Sequence, residues 1–158
     1  ITALLDAYRG TSLPAALSLL EQILPLTMWA KALKEMKLPH PGKEPAAFII
    51  ICQDMNISSN TTRFQRDVGV VAQTMLLGAV EKGFGGCMIG SFHKPQLKEL
   101  LNLPEGVEPN LIVALGKPAE KVVLTDVGED GSTKYYRDAE DTHYVPKRCL
   151  KELVLEAK

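Results

Sequence analysis

The sequence has almost no charge imbalance, no paired cysteines and no long apolar run, and each absence removes a class of function. Its 18 basic and 19 acidic residues leave a formal net charge of −1, so nothing draws the chain as a whole to nucleic acid or an anionic membrane. No apolar stretch is long enough to span a bilayer, and the start carries no signal-peptide pattern. Neither a nucleic-acid nor a membrane partner is therefore expected. Cys52, Cys87 and Cys149 are far apart, odd in number and without a CxxC pairing. That suits small buried thiols in a reducing cytoplasm and excludes a disulfide frame. His40, His93 and His143 have no ligand spacing among themselves or with the cysteines, so no metal site is expected. There is no internal repeat and no low-complexity tract.

What is present is an ordinary globular composition. A chain of 158 residues, 46% hydrophobic and 23% charged, can bury a core and is expected to form a single domain over residues 1–158. It opens at Ile1, already inside an apolar periodic pattern, as a piece of a longer protein would.

The most informative stretch runs from Asp67 to Phe92. Over 67–82, Val68, Val70, Val71, Met75, Leu76, Leu77 and Val80 alternate with Gly69, Ala72, Gly78 and Ala79. A helix apolar on nearly every side is expected to be buried, in a large core or against another subunit. Asp67 suits its start and Gly83 its stop. Residues 84–91 then read as a short buried strand broken by Gly85, Gly86 and Gly90. Such glycines mark either a tight helix–strand connection or a place where a ligand comes close.

Around this stretch the spacing predicts helices over 1–8, 15–24 and 27–37, the last with Trp29 as a core anchor. Residues 46–52 (AAFIIIC) predict a strand covered on both faces. The polar segment 53–66 reads as a loop, in which Arg63 and Arg66 are solvated or meet an anionic substrate. A helix over 96–102, a buried strand over 109–115 and short strands at 121–124 and 134–136 follow. A terminal helix is expected to start near Pro146. Lys147 and Arg148 would then lie in its first turn, where the helix dipole disfavours cations unless an anion joins them. A glycine-opened strand and a cationic helix start together suit a planar ring with a phosphate tail. Two exposed basic residues offset by Glu152 and Glu156 explain the second feature equally well.

The run D-x-G-x-x-A-Q-x-M-L-L-x-A-x-E-x-G-x-G-G-C-x-I-G-S-F resembles the central helix and flavin strand of the nitroreductase-like flavoproteins. The later P-N-L-I-V-A-L-G-K-P-A-E and H-Y-V-P-K-R continue the resemblance in the family's order, from about Leu24 to Leu155. The resemblance implies an α+β fold, a central, mainly antiparallel mixed sheet flanked by helices, with a long buried central helix. It implies FMN as cofactor, NAD(P)H as electron donor, and nitroaromatics, quinones or similar small molecules as acceptors in a ping-pong cycle. It also implies a homodimer with FMN at the subunit interface. Carried over position by position, Met88, Ile89, Gly90 and Ser91 lie against the flavin ring, Lys147 and Arg148 grip its phosphate, and Ser12 approaches the ring from the partner subunit. No catalytic side chain is implied, since the cofactor carries the hydride; Cys87 is expected to be a buried structural thiol. Two family segments, an R-R-S-x-R start and an S-x-x-N-x-Q-P stretch, are not in this sequence. Their absence keeps open a second reading, a family-fold binding or structural module with weakened or lost flavin binding. A third is a different anion- or nucleotide-binding α/β domain.

Overall fold

The computed structural model describes residues 22–26 and 44–154. The expected helices over 1–8 and 27–37, most of that over 15–24, Trp29 and Ser12 lie outside the described residues. The chain divides into two compact units, Ile1–Pro118 and Ala119–Lys158.

The first unit is built on a three-stranded antiparallel sheet, β1 (Ala47–Asp54), β3 (Val107–Gly116) and β2 (Gly85–Ile89), with β3 in the middle. Because side chains alternate across a strand, the two apolar runs feed two cores. Phe48 and Ile50 of β1 and Ile112 and Ala114 of β3 join Ile23, Phe92 and Leu97 on one face. Ile51 of β1 and Val113 of β3 join Val68 and Ala72 on the other. The runs are continuous in sequence because both faces are covered.

The helix on the second face, α1 (Thr61–Glu81), differs from expectation in two ways. It begins six residues before Asp67, because the Asn60 side chain accepts a hydrogen bond from the Arg63 N–H at 3.0 Å and caps it, so Arg63 and Arg66 lie on helix, not loop. Nor is it buried all round. Val68 and Ala72 are its buried residues, while Val70, Leu77 and Val80 are 67, 62 and 64% exposed. The sheet offers a single face, so one helix stripe is covered and the opposite stripe is not. Its end is as expected. Gly83 takes a left-handed φ of +74°, and the N–H groups of Gly83 and Phe84 bond to the carbonyls of Val80 and Ala79, both at 2.9 Å. This is the glycine-terminated hydrogen-bond pattern that satisfies the last carbonyls of a helix.

On the first face lies α2 (Lys94–Leu100), shifted slightly from the expected 96–102; His93 caps it and Pro95 sits in its first turn. The second unit carries a smaller sheet in which β6 (His143–Lys147) runs parallel to β4 (Val122–Asp126) and antiparallel to β5 (Tyr136–Arg137). A four-residue helix, α3 (Leu150–Leu153), ends the described chain. The fold is α+β, and the sheet of the first unit is flanked by helices on both faces. Among the described residues, no helix is long and apolar enough to cross a membrane.

Candidate cofactor site

The three glycines of residues 84–91, Gly85, Gly86 and Gly90, have three different surroundings. A Cβ on Gly86 would run into the Ala114 carbonyl oxygen, with Leu115 Cδ2 at 2.7 Å and Leu76 Cδ2 at 2.8 Å. Glycine here lets α1 and β3 close on β2. A Cβ on Gly85 would meet Pro118 Cγ at 3.3 Å. At Gly90 the nearest atom is Leu111 Cδ1 at 3.8 Å, an ordinary contact. Of the three, Gly90 alone would place a Cβ at ordinary contact distance from the described residues.

β2 is not the buried strand expected: Gly86, Cys87 and Met88 are exposed. It is an edge strand, paired with β3 alone among the described residues. An edge strand turns one set of backbone N–H and C=O groups away from the sheet, free to meet another chain or a ligand. The Met88–Ser91 segment is nonetheless held at both ends. Met88 and Ile89 are in register with Val113 and Ile112. Beyond it, Phe92 is buried, 8% exposed, and the His93 N–H donates to the Leu26 carbonyl at 2.8 Å. The arrangement is a fixed, exposed strand end with backbone donors and no side chain at Gly90.

The three cysteines remain thiols. Cys87 is exposed, contrary to the buried thiol expected, because it lies on the edge strand. Cys52 lies in the core side of β1, and burial pushes its thiol up to about 11, which makes it a poor nucleophile. Among the described residues no three of His, Cys, Asp or Glu gather as metal ligands.

In the second unit the basic pair departs from its expected setting. Pro146 and Lys147 belong to strand β6, not to a helix, and α3 starts only at Leu150. Pro146 lacks an N–H, but β5 pairs only with His143 and Tyr144, so none is needed on that side. Lys147 and Arg148 therefore sit, both exposed, at the end of a strand. No helix dipole opposes them, and none helps them hold an anion. Asp126 is the register partner of Lys147 across β4 and β6.

The same unit contains a charged cluster that sequence reading missed. Glu120 bridges Arg137 at 3.0 Å and His143 Nδ1 at 3.1 Å, and Arg137 also holds Asp141 Oδ1 at 3.1 Å. Partial burial pushes the Glu120 carboxyl up, but the hydrogen bonds from His143 and Arg137 outweigh it and hold the group below its ordinary value. No motif announces this cluster, because strand pairing brings the residues together.

The matched family agrees with the architecture. The family model of the nitroreductase family matches residues 13–117, and the chain belongs to that family. The match includes β1, α1, β2, α2 and β3 with Met88–Ser91, and it ends before Lys147 and Arg148.

Three solved structures are similar. A nitroreductase family protein from Clostridium novyi NT shares 25% identity over 47% of this chain and 44% of its own, with a TM-score of 0.43. Proteins from Bacteroides thetaiotaomicron VPI-5482 and Parabacteroides distasonis ATCC 8503, each named as an NADH dehydrogenase/NAD(P)H nitroreductase, share 24% identity, both with a TM-score of 0.48. The alignments cover 65 and 71% of this chain and 56 and 60% of theirs. The chain thus spans between four-tenths and six-tenths of each of these proteins.

Proposed function

We propose that the chain is the flavin-holding part of an FMN-dependent oxidoreductase that takes electrons from NAD(P)H and passes them to a nitroaromatic, quinone or similar small acceptor. The observation that carries this reading is the Gly90 position, uncrowded by the described residues and one residue past the end of a fixed edge strand, inside the part of the chain that matches the family. A planar ring needs such a place: backbone donors at its edge and no Cβ in its plane. In the first unit the residues suit the ring: Gly90 and Ser91 N–H groups would donate to its edge, and Met88 and Ile89 would lie along it. In the second unit the exposed Lys147 and Arg148 are the proposed phosphate contacts, on the family resemblance. When bound, FMN would supply the two-electron transfer, and donor and acceptor would use the site in turn. The chain's own part is to orient the ring, keep water from one face of it, and stabilise negative charge at its edge through backbone donors. No side chain is assigned as a catalytic acid or base. Ser12 remains a proposed contact from a partner subunit.

The uncovered apolar stripe of Val70, Leu77 and Val80, with Gly69 and Gly78 beside it, supports a homodimer in which a second copy covers α1. A cytoplasmic location belongs to the same proposal and is consistent with three thiols. A second reading has specific support. The basic pair lies on a strand end beside Asp126 rather than on a helix N-terminus, as in a family-fold module with weakened flavin binding.

Purification of the full-length protein separates the two readings. A yellow protein that retains FMN supports the first, and a colourless one that ignores added FMN supports the second. Within the first, Lys147→Ala with Arg148→Ala should weaken FMN retention by roughly tenfold or more, the scale of charge-assisted hydrogen bonds. Retention equal to wild type would refute the phosphate role.

A further inference from the structure

Strand register is normally pinned by a buried apolar face. The small β4–β6–β5 sheet has only a weak one: β4 alternates exposed and half-buried residues, and among its unit's described residues Thr142 and Pro146 are the buried ones. Something else must decide where β6 stops along β4, and that decides where Lys147 and Arg148 stand.

The contacts at the start of the ladder supply it. Glu120, two residues before β4, reaches Arg137 on β5 and His143, the first residue of β6. Beside it the His143 N–H donates to the Lys121 carbonyl at 2.9 Å. At the far end the Val127 N–H donates to the Lys147 carbonyl at 3.1 Å. Arg137 also donates to the Asp141 carbonyl at 3.3 Å and its carboxylate at 3.1 Å, which holds the β5–β6 turn. Other side-chain contacts have a shorter reach. The Tyr136–Tyr144 stack, with centroids 5.0 Å apart, and the Tyr144 hydroxyl donating to Asp138 at 3.1 Å join β5 and its turn to β6 and leave β4 out. Glu120, on the chain leading into β4, reaches both β5 and β6 through its carboxylate.

We propose that Glu120 is a positioning residue for the Lys147–Arg148 pair: by clasping Arg137 and His143 it sets the register of β6 on β4, and with it the place where a phosphate is gripped. A slip of one residue turns Lys147 to the other face of the sheet. A slip of two moves it about 7 Å along the strand, further than any hydrogen bond reaches. This inference rests on the phosphate role proposed above, and the test separates the two.

The test compares FMN with riboflavin, which has the same ring and no phosphate, by flavin fluorescence titration of the full chain. Wild type should prefer FMN. Glu120→Gln keeps the side chain's size and removes its charge. It should lower that preference roughly tenfold, about one charge-assisted hydrogen bond, with riboflavin affinity unchanged. Asp138→Asn, in the same unit but outside the β4 clasp, should leave the preference as in wild type. A Glu120→Gln preference equal to wild type overturns the proposal. So does an equal loss of both flavins, which is what general destabilisation would produce, and so does an Asp138→Asn loss as large. A wild type that binds the two flavins equally refutes the phosphate reading itself.

Discussion

Replacing Gly86 by alanine adds one methyl group where α1, β2 and β3 meet. Gly86 has no left-handed φ, so alanine brings no backbone strain, and the effect is steric. Two of the atoms it meets, Leu115 Cδ2 and Leu76 Cδ2, end flexible side chains. The third, the Ala114 carbonyl oxygen, belongs to the central strand in register with β2. That oxygen cannot withdraw without loosening the β2–β3 ladder. Overpacking of this kind costs about 1–3 kcal/mol. Against it stands the roughly 0.4–1 kcal/mol that a glycine-to-alanine change returns by restricting the unfolded chain. The net is a loss of up to about 2.6 kcal/mol. Gly90→Ala provides the contrast, because its methyl would meet Leu111 Cδ1 at 3.8 Å. There the entropy gain stands unopposed, and stability should be unchanged or raised by up to about 1 kcal/mol. The order for FMN retention is reversed at the ligand side: Gly90→Val should block the ring. Urea titration of the three chains, with equal m-values as the check that unfolding exposes the same surface, reads both signs. A Gly86→Ala chain at least as stable as Gly90→Ala refutes the packing argument. A Gly90→Val chain that binds flavin normally refutes the ring placement.

Asn60→Ala removes the cap of α1 and should lower stability by about 1 kcal/mol; an unchanged urea midpoint would mean that the cap contributes nothing. Leu77→Asp, on the exposed stripe of α1, should leave folding stability within about 0.5 kcal/mol while shifting the chain from dimer to monomer in light scattering; a dimer of undiminished affinity excludes this stripe as the contact. Acid should loosen the second unit through Glu120. Its folded-state value lies below its ordinary 4.5, so its contribution is complete above pH 4.5 and is lost as pH falls through the lower folded value. Near-ultraviolet dichroism should follow this, since Tyr135, Tyr136 and Tyr144 lie in that unit, and Glu120→Gln should flatten the change; an equal acid transition in both chains removes Glu120 from the cause.

Two strands of the first unit, β1 and β3, were legible because burial on both faces writes an uninterrupted apolar run. The run 46–52 and the run 109–115 correspond to β1 and β3 with small shifts at their ends. The start of α1 was not, since Thr61, Thr62, Arg63, Gln65 and Arg66 carry no apolar period. The legible signal there was the cap: Asn60, a residue that competes with helix interiors and favours their starts. Pro146 misled for the opposite reason. Proline suits a first helical turn, but it also suits a strand position that has lost its neighbour, and only the short reach of β5 distinguishes the two. The Glu120 cluster was out of reach altogether, because ion pairs between strands leave no periodic trace in sequence.

The glycine segment shows how far a motif can go. Three glycines within residues 84–91 suggest a ligand, and the nitroreductase-family match includes that segment. Yet two of the three are explained by packing, Gly86 by the closure of α1 and β3 on β2, and Gly85 by its approach to Pro118. The requirement for a ligand therefore rests on Gly90, whose missing side chain the protein's own packing does not demand. A glycine that no described residue requires, at an anchored and exposed strand end, is the position at which a bound ring would have a physical use for a missing side chain.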